Sequence, residues 1–262
     1  MVFATDFTYD DISLSSFGEY IVAGFDDAGG DESLLSRSVN RSDITYDQPL
    51  TYDYGCVDED VYSFELTILK RSGEGFTQGE VRNLVGWLAS PVTPRWLTFA
   101  GCTDEIYDEV YYKGRFVEAN YEGGTSSNKA GITFTFESVS PYAFTQEYKY
   151  TIDGGKTLVI NNLGTKVGKT VLPKITIVPS GTGIVTIDNT DDNTDPFSIF
   201  VVGNQNVIVE DHNCMLENGD IYPFSNLNNY NWVTLKDGIN HITVTGDCKI
   251  IIQVRFYEAI GV

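Results

Sequence analysis

From Ile132 to Glu137 the sequence alternates strictly: Ile132, Phe134 and Phe136 are apolar, and Thr133, Thr135 and Glu137 are polar. A two-residue period means a strand with one face buried and one face in water. The next eight residues, Ser138-Val139-Ser140-Pro141-Tyr142-Ala143-Phe144-Thr145, stop it. Proline has no N–H to give to a ladder, so a central strand cannot run through Pro141. The chain also changes character here: the preceding part is rich in acid, and the following part is rich in glycine and asparagine. Ser140, Pro141 and Tyr142 are therefore expected to mark a junction between a domain at 1–145 and a domain at 146–262.

The first half reads as antiparallel β structure with one helix. Phe3, Phe7 and Tyr9 alternate with polar residues, and Phe17–Val22 follows the acidic Asp10-Asp11 turn. Asp26–Glu32 reads as an acidic loop, and a short strand is expected near Ile44–Tyr46. Tyr62, Phe64, Leu66 and Ile68 fall on one face of a strand over Val61–Leu69. Thr77-Gln78-Gly79-Glu80 has the form of a capping box, in which two side chains satisfy each other's free N–H groups. Val81, Leu84, Val85 and Leu88 then repeat at helical spacing, so a helix is expected over Thr77–Ala89, ended by Ser90-Pro91. A short strand at Arg95–Phe99, an acidic turn at Thr103–Glu109, a strand pair over Val110–Glu122 interrupted at Lys113-Gly114, and a loop over Gly123–Asn128 complete this half.

After the junction, short β-favouring runs recur at regular intervals: Lys156–Ile160, Lys174–Val178, Gly183–Asn189, Phe197–Val202, Asn206–Glu210, Cys214–Leu216, Trp232–Leu235, Ile239–Thr245 and Lys249–Tyr257. Turn clusters separate them, with Asn218-Gly219 and Asp237-Gly238 suited to positive φ. Many short strands at this spacing indicate a β-sandwich or jelly roll.

The formal net charge is −20, and residues 1–145 carry 9 lysines and arginines against 24 aspartates and glutamates. Such a surface lacks the cationic footprint that nucleic-acid binding requires. Cys56, Cys102, Cys214 and Cys248 stand apart without metal-ligand spacing and read as reduced thiols. Met1–Phe7 has neither a basic nor an apolar signal region, and no run is long enough to span a membrane, so neither a signal peptide nor membrane insertion is expected.

No catalytic, metal or cofactor site is expected. Gly-x-Ser-x-Gly and His-Glu-x-x-His are absent. Gly164–Thr170 lacks the glycine spacing of a phosphate loop and reads as a lysine-bearing turn. His212 reads as a loop residue and His241 as the polar face of a strand. Asp188–Asp195 offers oxygens for calcium but departs from the EF-hand pattern, so a solvated loop is the main reading there. Tyr222, Tyr230 and Trp232, with Phe224 nearby, are candidates for a saccharide-stacking platform; the competing reading makes them core and rim of the sandwich.

Taken together, these phrases resemble the distal tail protein (Dit) family of siphophages. The likeness is carried by Phe7–Ser13 with Phe17-Gly18 and Tyr20–Val22, by the capped helix leading to Pro94-Arg95-Trp96-Leu97, and by Ser140–Phe144. Leu172–Ile177, Gly183–Asn189 and Leu235–Thr245 carry it through the second half. The resemblance implies a split-barrel-like first domain and a galectin-like β-sandwich second. It implies a structural protein of the virion tail tip or baseplate, forming a homo-hexameric ring between the tail-tube protein and the tail-associated hub protein, with receptor-binding proteins nearby. DNA would pass through that ring without specific binding, and a negative lumen would let it slide. The alternative is a carbohydrate-binding module for host saccharide. Sugar-binding galectins carry His-x-Asn-Pro-Arg and Trp-x-x-Glu, which His212-Asn213-Cys214 and Trp232–Leu235 do not match.

Overall fold

A computed structural model describes residues 3–23, 37–41, 53–58, 61, 63–102, 110–123, 130–192 and 194–259. The readings at Asp26–Glu32, Ile44–Tyr46, Tyr62 and Thr103–Glu109, and all but Gly123 of the Gly123–Asn128 loop, lie outside the described residues. The chain is mainly β and divides into two compact units, Met1–Ala143 with Ala259–Val262, and Phe144–Glu258.

The strands of the first unit are β1 (Phe3–Ala4), β2 (Asp6–Tyr9), β3 (Ile12–Ser13), β4 (Tyr20–Ala23), β5 (Arg37–Arg41), β6 (Asp53–Asp58), β7 (Ser63–Lys70), β8 (Arg95–Ala100), β9 (Tyr111–Glu122) and β10 (Gly131–Ser138). Helix α1 spans Gln78–Ala89. The main sheet is antiparallel, in the order β1-β4-β7-β10-β9-β8-β2-β3, and β5 pairs with β6 separately. Alternation sends Phe64, Leu66, Ile68, Ile132, Phe134 and Phe136 to one face, where they are buried. Leu84 and Leu88 of α1 join this core. Trp87 stacks between Phe7 and Phe17, at 5.4 and 4.7 Å, and donates its indole N–H to Tyr9 O at 3.3 Å.

The capping box forms: Thr77 N–H donates to Glu80 Oε2 at 2.7 Å, and Glu80 N–H donates to Thr77 Oγ1 at 3.4 Å. Lys70 Nζ lies 2.8 Å from the same Glu80 oxygen. The Lys70 ammonium, helped by the Thr77 N–H and hydroxyl against a weaker effect of burial, holds the Glu80 carboxyl at about 2 instead of 4.5. A depressed carboxyl pKa contributes stability that is present above the unfolded value and lost as the acid protonates. The Glu80→Gln variant should therefore differ from the parent in full above about pH 5, by a shrinking amount as pH falls from there, and little below about pH 2; parallel acid-unfolding curves would check this.

Lys113-Gly114 does not interrupt a strand pair. β9 is one continuous strand, in which Gly114 faces Phe136. A Cβ there would come within 2.2 Å of Glu137 O and 2.5 Å of the Phe136 ring, so only glycine lets the strands approach. Farther along, Thr135 pairs with Glu118 and Phe136 with Phe116, leaving Val117 as a bulge. Asp10 and Asp11 both have positive φ, 53° and 62°, in the tight turn between β2 and β3.

Tyr9 lies at the centre of this core with 0% exposure, edge-on to Phe116 at 5.0 Å and to Phe136 at 6.5 Å. Its hydroxyl has no hydrogen-bond partner among the described residues. An orphaned buried hydroxyl costs about 1–3 kcal/mol. Tyr9→Phe should therefore stabilise the first unit, by about 1 kcal/mol in a denaturant titration.

The second unit is a sandwich. The short strand β11 covers Ala143–Phe144, and one sheet has the order β12 (Tyr148–Asp153), β20 (Cys248–Val254), β14 (Lys174–Pro179), β17 (Val207–Glu210), β18 (Asn213–Leu216). The other has β13 (Thr157–Asn162), β19 (Gly238–Thr245), β15 (Gly183–Asn189), β16 (Phe197–Val201). Ile160, Ile177, Ile187, Ile199, Ile242 and Ile252 are among the fully buried residues of the core between them. β12 was not expected. It ends at Asp153, and the chain turns through Gly154-Gly155 into β13 of the opposite sheet. A Cβ on Gly154 would sit 1.9 Å from Gly246 O, which fixes glycine at this corner. Trp232–Leu235 is not a strand; of that run only Leu235 forms an isolated bridge, to Val171. Lys249–Tyr257 is broken after Val254, and a final short strand, β21, covers Tyr257–Glu258.

Candidate functional site

The junction residues are tied down by hydroxyls. Ser138 Oγ donates to Ser140 O at 2.8 Å and accepts from Ser140 N–H at 3.1 Å. Ser140 Oγ accepts the N–H of Tyr142 at 3.0 Å, and Val139 N–H reaches Lys113 O at 2.8 Å. Ser138, Ser140 and Tyr142 are buried, while Pro141 is half-buried. Serine side chains thus hold the turn that contains Pro141, in the manner of serine–backbone turns.

The aromatic candidates do not form a common face. Tyr222 is 2% exposed and donates its hydroxyl to Phe200 O at 3.1 Å, so its ring belongs to the core. Trp232 is half-buried, stacked on Phe197 at 5.8 Å and met edge-on by His212 at 5.5 Å. His212 is held there by a second tight turn with both residues at positive φ, Asp211 at 48° and His212 at 62°. Tyr230 is 65% exposed. Among the described residues no ring contact joins the three.

The Asp188–Asp195 segment is fastened to its neighbours. Asp191 Oδ2 accepts from His241 N–H at 2.6 Å and lies 2.7 Å from His241 Nδ1; these contacts hold its carboxyl below the usual range. Asp192 accepts from the Thr194 N–H and hydroxyl and from the Thr234 hydroxyl. Beneath them lies a buried pair: Asn189 Nδ2 donates to Asn240 Oδ1 at 2.9 Å and to Thr234 O at 2.7 Å. Among the described residues no group of three His, Cys, Asp or Glu is placed to hold a metal ion. Cys214 and Cys248 are free thiols, and burial pushes the Cys214 thiol up to about 11, where it is a poor nucleophile.

A further surface was not singled out from the sequence. The polar face of β7, β10 and β9 carries Glu65, Glu118, Glu122 and Glu137, all exposed. Thr135 is flanked by Glu65 on β7 and Glu118 on β9. Beside it, Thr67 and Thr133 hydroxyls meet at 2.8 Å, and Thr133 Oγ1 donates to Glu122 at 3.0 Å. Arg115, at one end, directs its guanidinium to Val92 O at 3.3 Å. The alternation that buries the phenylalanines sends the carboxylates to the opposite side. Its signal was the Thr/Glu register of β7 and β10, which becomes a patch only once β9 is aligned with them.

Fold and surface define a two-unit β protein built around packing and faces, with loops closed by their own hydrogen bonds. The chain belongs to the family of phage tail proteins: a phage tail protein N-terminal domain matches residues 3–140, and a phage tail C-terminal domain matches residues 141–254. No curated protein matches the sequence. Among solved structures, the Dit protein of phage SPP1, described as a paradigm of the hub adsorption apparatus of phages infecting Gram-positive bacteria, is similar with a TM-score of 0.60. It is 17% identical, over 98% of this chain and 100% of that one. A chain of the phage P2 baseplate in its activated conformation with calcium is similar at a TM-score of 0.53 and 11% identity, over 97% of this chain and 98% of that one. The same baseplate with strontium gives 0.53 and 12%, over 95% and 97%. At these identities the likeness is one of fold, and it is a Dit-like fold over nearly the whole chain.

Proposed function

We propose that this chain is a structural component of the virion tail tip. Six copies close into a ring that joins the tail-tube protein to the tail-associated hub protein, with receptor-binding proteins attached beside it. Domain 1–145 forms the ring and domain 146–262 projects outward as a galectin-like module. DNA passes through without specific binding. The observation that carries this reading is the family match of both halves, in order, to phage tail protein domains. The face of Glu65, Glu118, Glu122 and Glu137 suits the wall of the channel, because a fixed negative surface repels phosphates and keeps a duplex from adhering.

Two experiments test this. Negative-stain microscopy of the purified chain, alone and mixed with tail-tube protein, should show six-membered rings; monomers in both samples overturn the ring. Reversing the four glutamates to lysine should slow DNA ejection, most strongly at low salt, where charges are least screened. Ejection at the parental rate would remove the channel assignment. Saccharide binding by the second unit is the weaker reading, since Tyr222 is buried and Trp232 is half-buried with one ring face stacked on the core residue Phe197. Retention of a stable monomer on host cell-wall saccharide would favour it instead.

A further inference from the structure

The sandwich has four sheet edges, and the chain covers two of them itself. At β18, Leu216 N–H donates to Asp220 O at 2.7 Å and Tyr222 N–H donates to Cys214 O at 2.9 Å, so the returning segment lies along the strand. At β16, Asn228 N–H donates to Ser198 O at 3.0 Å, and Ser198 N–H donates to Asn229 Oδ1 at 3.2 Å. Among the described residues nothing pairs in this way with the free edges of β12 and β13. These two strands follow one another through the Gly154-Gly155 corner, so both open edges lie on one side of the sandwich.

The register decides which main-chain groups point outward there. Val244 N–H donates to Lys156 O at 3.1 Å, which places the ladder bonds of β13 at Leu158, Ile160 and Asn162. The N–H and C=O groups of Thr157, Val159 and Asn161 therefore face the open side. Gly154 N–H donates to Cys248 O at 2.8 Å, and by the same alternation Lys149, Thr151 and Asp153 of β12 face outward. All six residues are exposed. An unpaired edge is a template for another strand, and proteins that avoid such pairing place charge, proline or a bulge on it. β13 has none of these, in a chain whose net charge is −20.

We propose that this side of the second unit docks a second copy of the chain, with β13 pairing antiparallel to its counterpart about a two-fold axis at Val159. The outward groups are centred on Val159, so self-pairing sets Val159 against Val159 of the second copy and Thr157 against Asn161. Each outward N–H then meets a carbonyl, and the two four-stranded sheets become one. β12 has a matching pattern: pairing about Thr151 sets Lys149 against Asp153 of the second copy, opposite charges across the strands. Thr151 lies three residues before the corner and Val159 four after it, so one axis normal to the sheets serves both edges. Lys156, at the start of β13, is already paired with Asp153 of its own chain at 2.8 Å. This complementarity favours a second copy over a foreign strand: one edge brings no like charges together, and the other brings opposite ones. Such a contact is isologous and closes at two copies. It is made by the second unit alone and does not rest on the ring reading.

Thiol cross-linking of the full chain tests it. Under mild oxidation, Val159→Cys should give a covalent dimer whose disulfide joins the two introduced thiols, identified by mass spectrometry. Opposed residues of an antiparallel ladder lie within disulfide reach. Thr157→Cys and Asn161→Cys should not link to themselves but should link to each other when mixed, which fixes the register. Val159→Lys sets like charges across the axis. It should halve the mass of the parental species in mass-measured chromatography, for a dimer and for a pair of rings alike. Absence of a disulfide between the thiols introduced by Val159→Cys overturns self-docking, and so does a Val159→Lys protein of parental mass. A disulfide from that position to another tail protein in virions, with none between copies, overturns it too and gives the edge to that protein.

Discussion

Leu88→Asp should abolish the folded first unit. Leu88 is 1% exposed, on the apolar stripe of α1 above the aromatic sheet core. An aspartate there places a carboxylate among hydrocarbon with no cation to meet it, and it also removes the leucine's packing. The expected loss is about 4 kcal/mol or more, the range of an uncompensated buried charge, and that is a large share of a domain's stability. Leu88→Met, which conserves volume, should cost less than about 1.5 kcal/mol. Near-ultraviolet circular dichroism and thermal unfolding would separate the two variants. The aspartate protein should lose the aromatic signal of the Phe7–Trp87–Phe17 stack while the transition of the second unit persists. A Leu88→Asp protein with the parental melting profile would mean that the helix does not seat on this core.

Asn240→Ala should have the corresponding effect on the second unit. Asn240 is 0% exposed, and its amide is saturated. Its Oδ1 accepts from Lys236 N–H at 2.9 Å and from Asn189 Nδ2 at 2.9 Å. Its Nδ2 donates to Lys236 O and Gly238 O, both at 3.0 Å. Alanine leaves the Lys236 N–H and the Asn189 amide without this acceptor and the Lys236 and Gly238 carbonyls without this donor, at about 1–3 kcal/mol for each of these groups that stays buried. A total on the order of 4 kcal/mol should lower the melting temperature of this unit by more than about 10 °C. Asn240→Asp keeps the shape but turns an oxygen toward two carbonyls, so it should not rescue. Calorimetry of the three proteins checks both statements.

Much of the fold was legible because local chemistry and tertiary context agree. The capping box at Thr77–Glu80 and the stripe from Val81 to Leu88 gave the helix almost to the residue. Alternation gave β7 and β10 and the faces of both. The misreadings arose where a residue's role is set by something distant. Gly114 looks like a break until Phe136 is laid across it. Tyr148 and Tyr150 alternate with Lys149 and Thr151, but tyrosine suits core and rim equally, and only pairing with Gln253, Ile252 and Ile251 makes this stretch a strand. Trp232–Leu235 has strand-like composition, yet its tryptophan is held by Phe197 and His212. Tight turns at Asp10-Asp11 and Asp211-His212 carry positive φ without the glycine that usually announces it.

The candidate sites divide the same way. The Ser140–Tyr142 turn follows from local proline and serine chemistry. The carboxylate face needs three strands in register, and the open edges of β12 and β13 stand out only once Ile221 and Leu227 are seen to cover the other two. No short-range pattern encodes either.

The proposed ring is the passage through which DNA would leave the tail. Single-particle electron microscopy of the intact virion's tail tip tests it most directly. The predicted result is a closed ring of this chain at the end of the tail tube, with Glu65, Glu118, Glu122 and Glu137 facing the channel. A tail tip without this chain at that position, or a ring with those four carboxylates turned away from the channel, would contradict it.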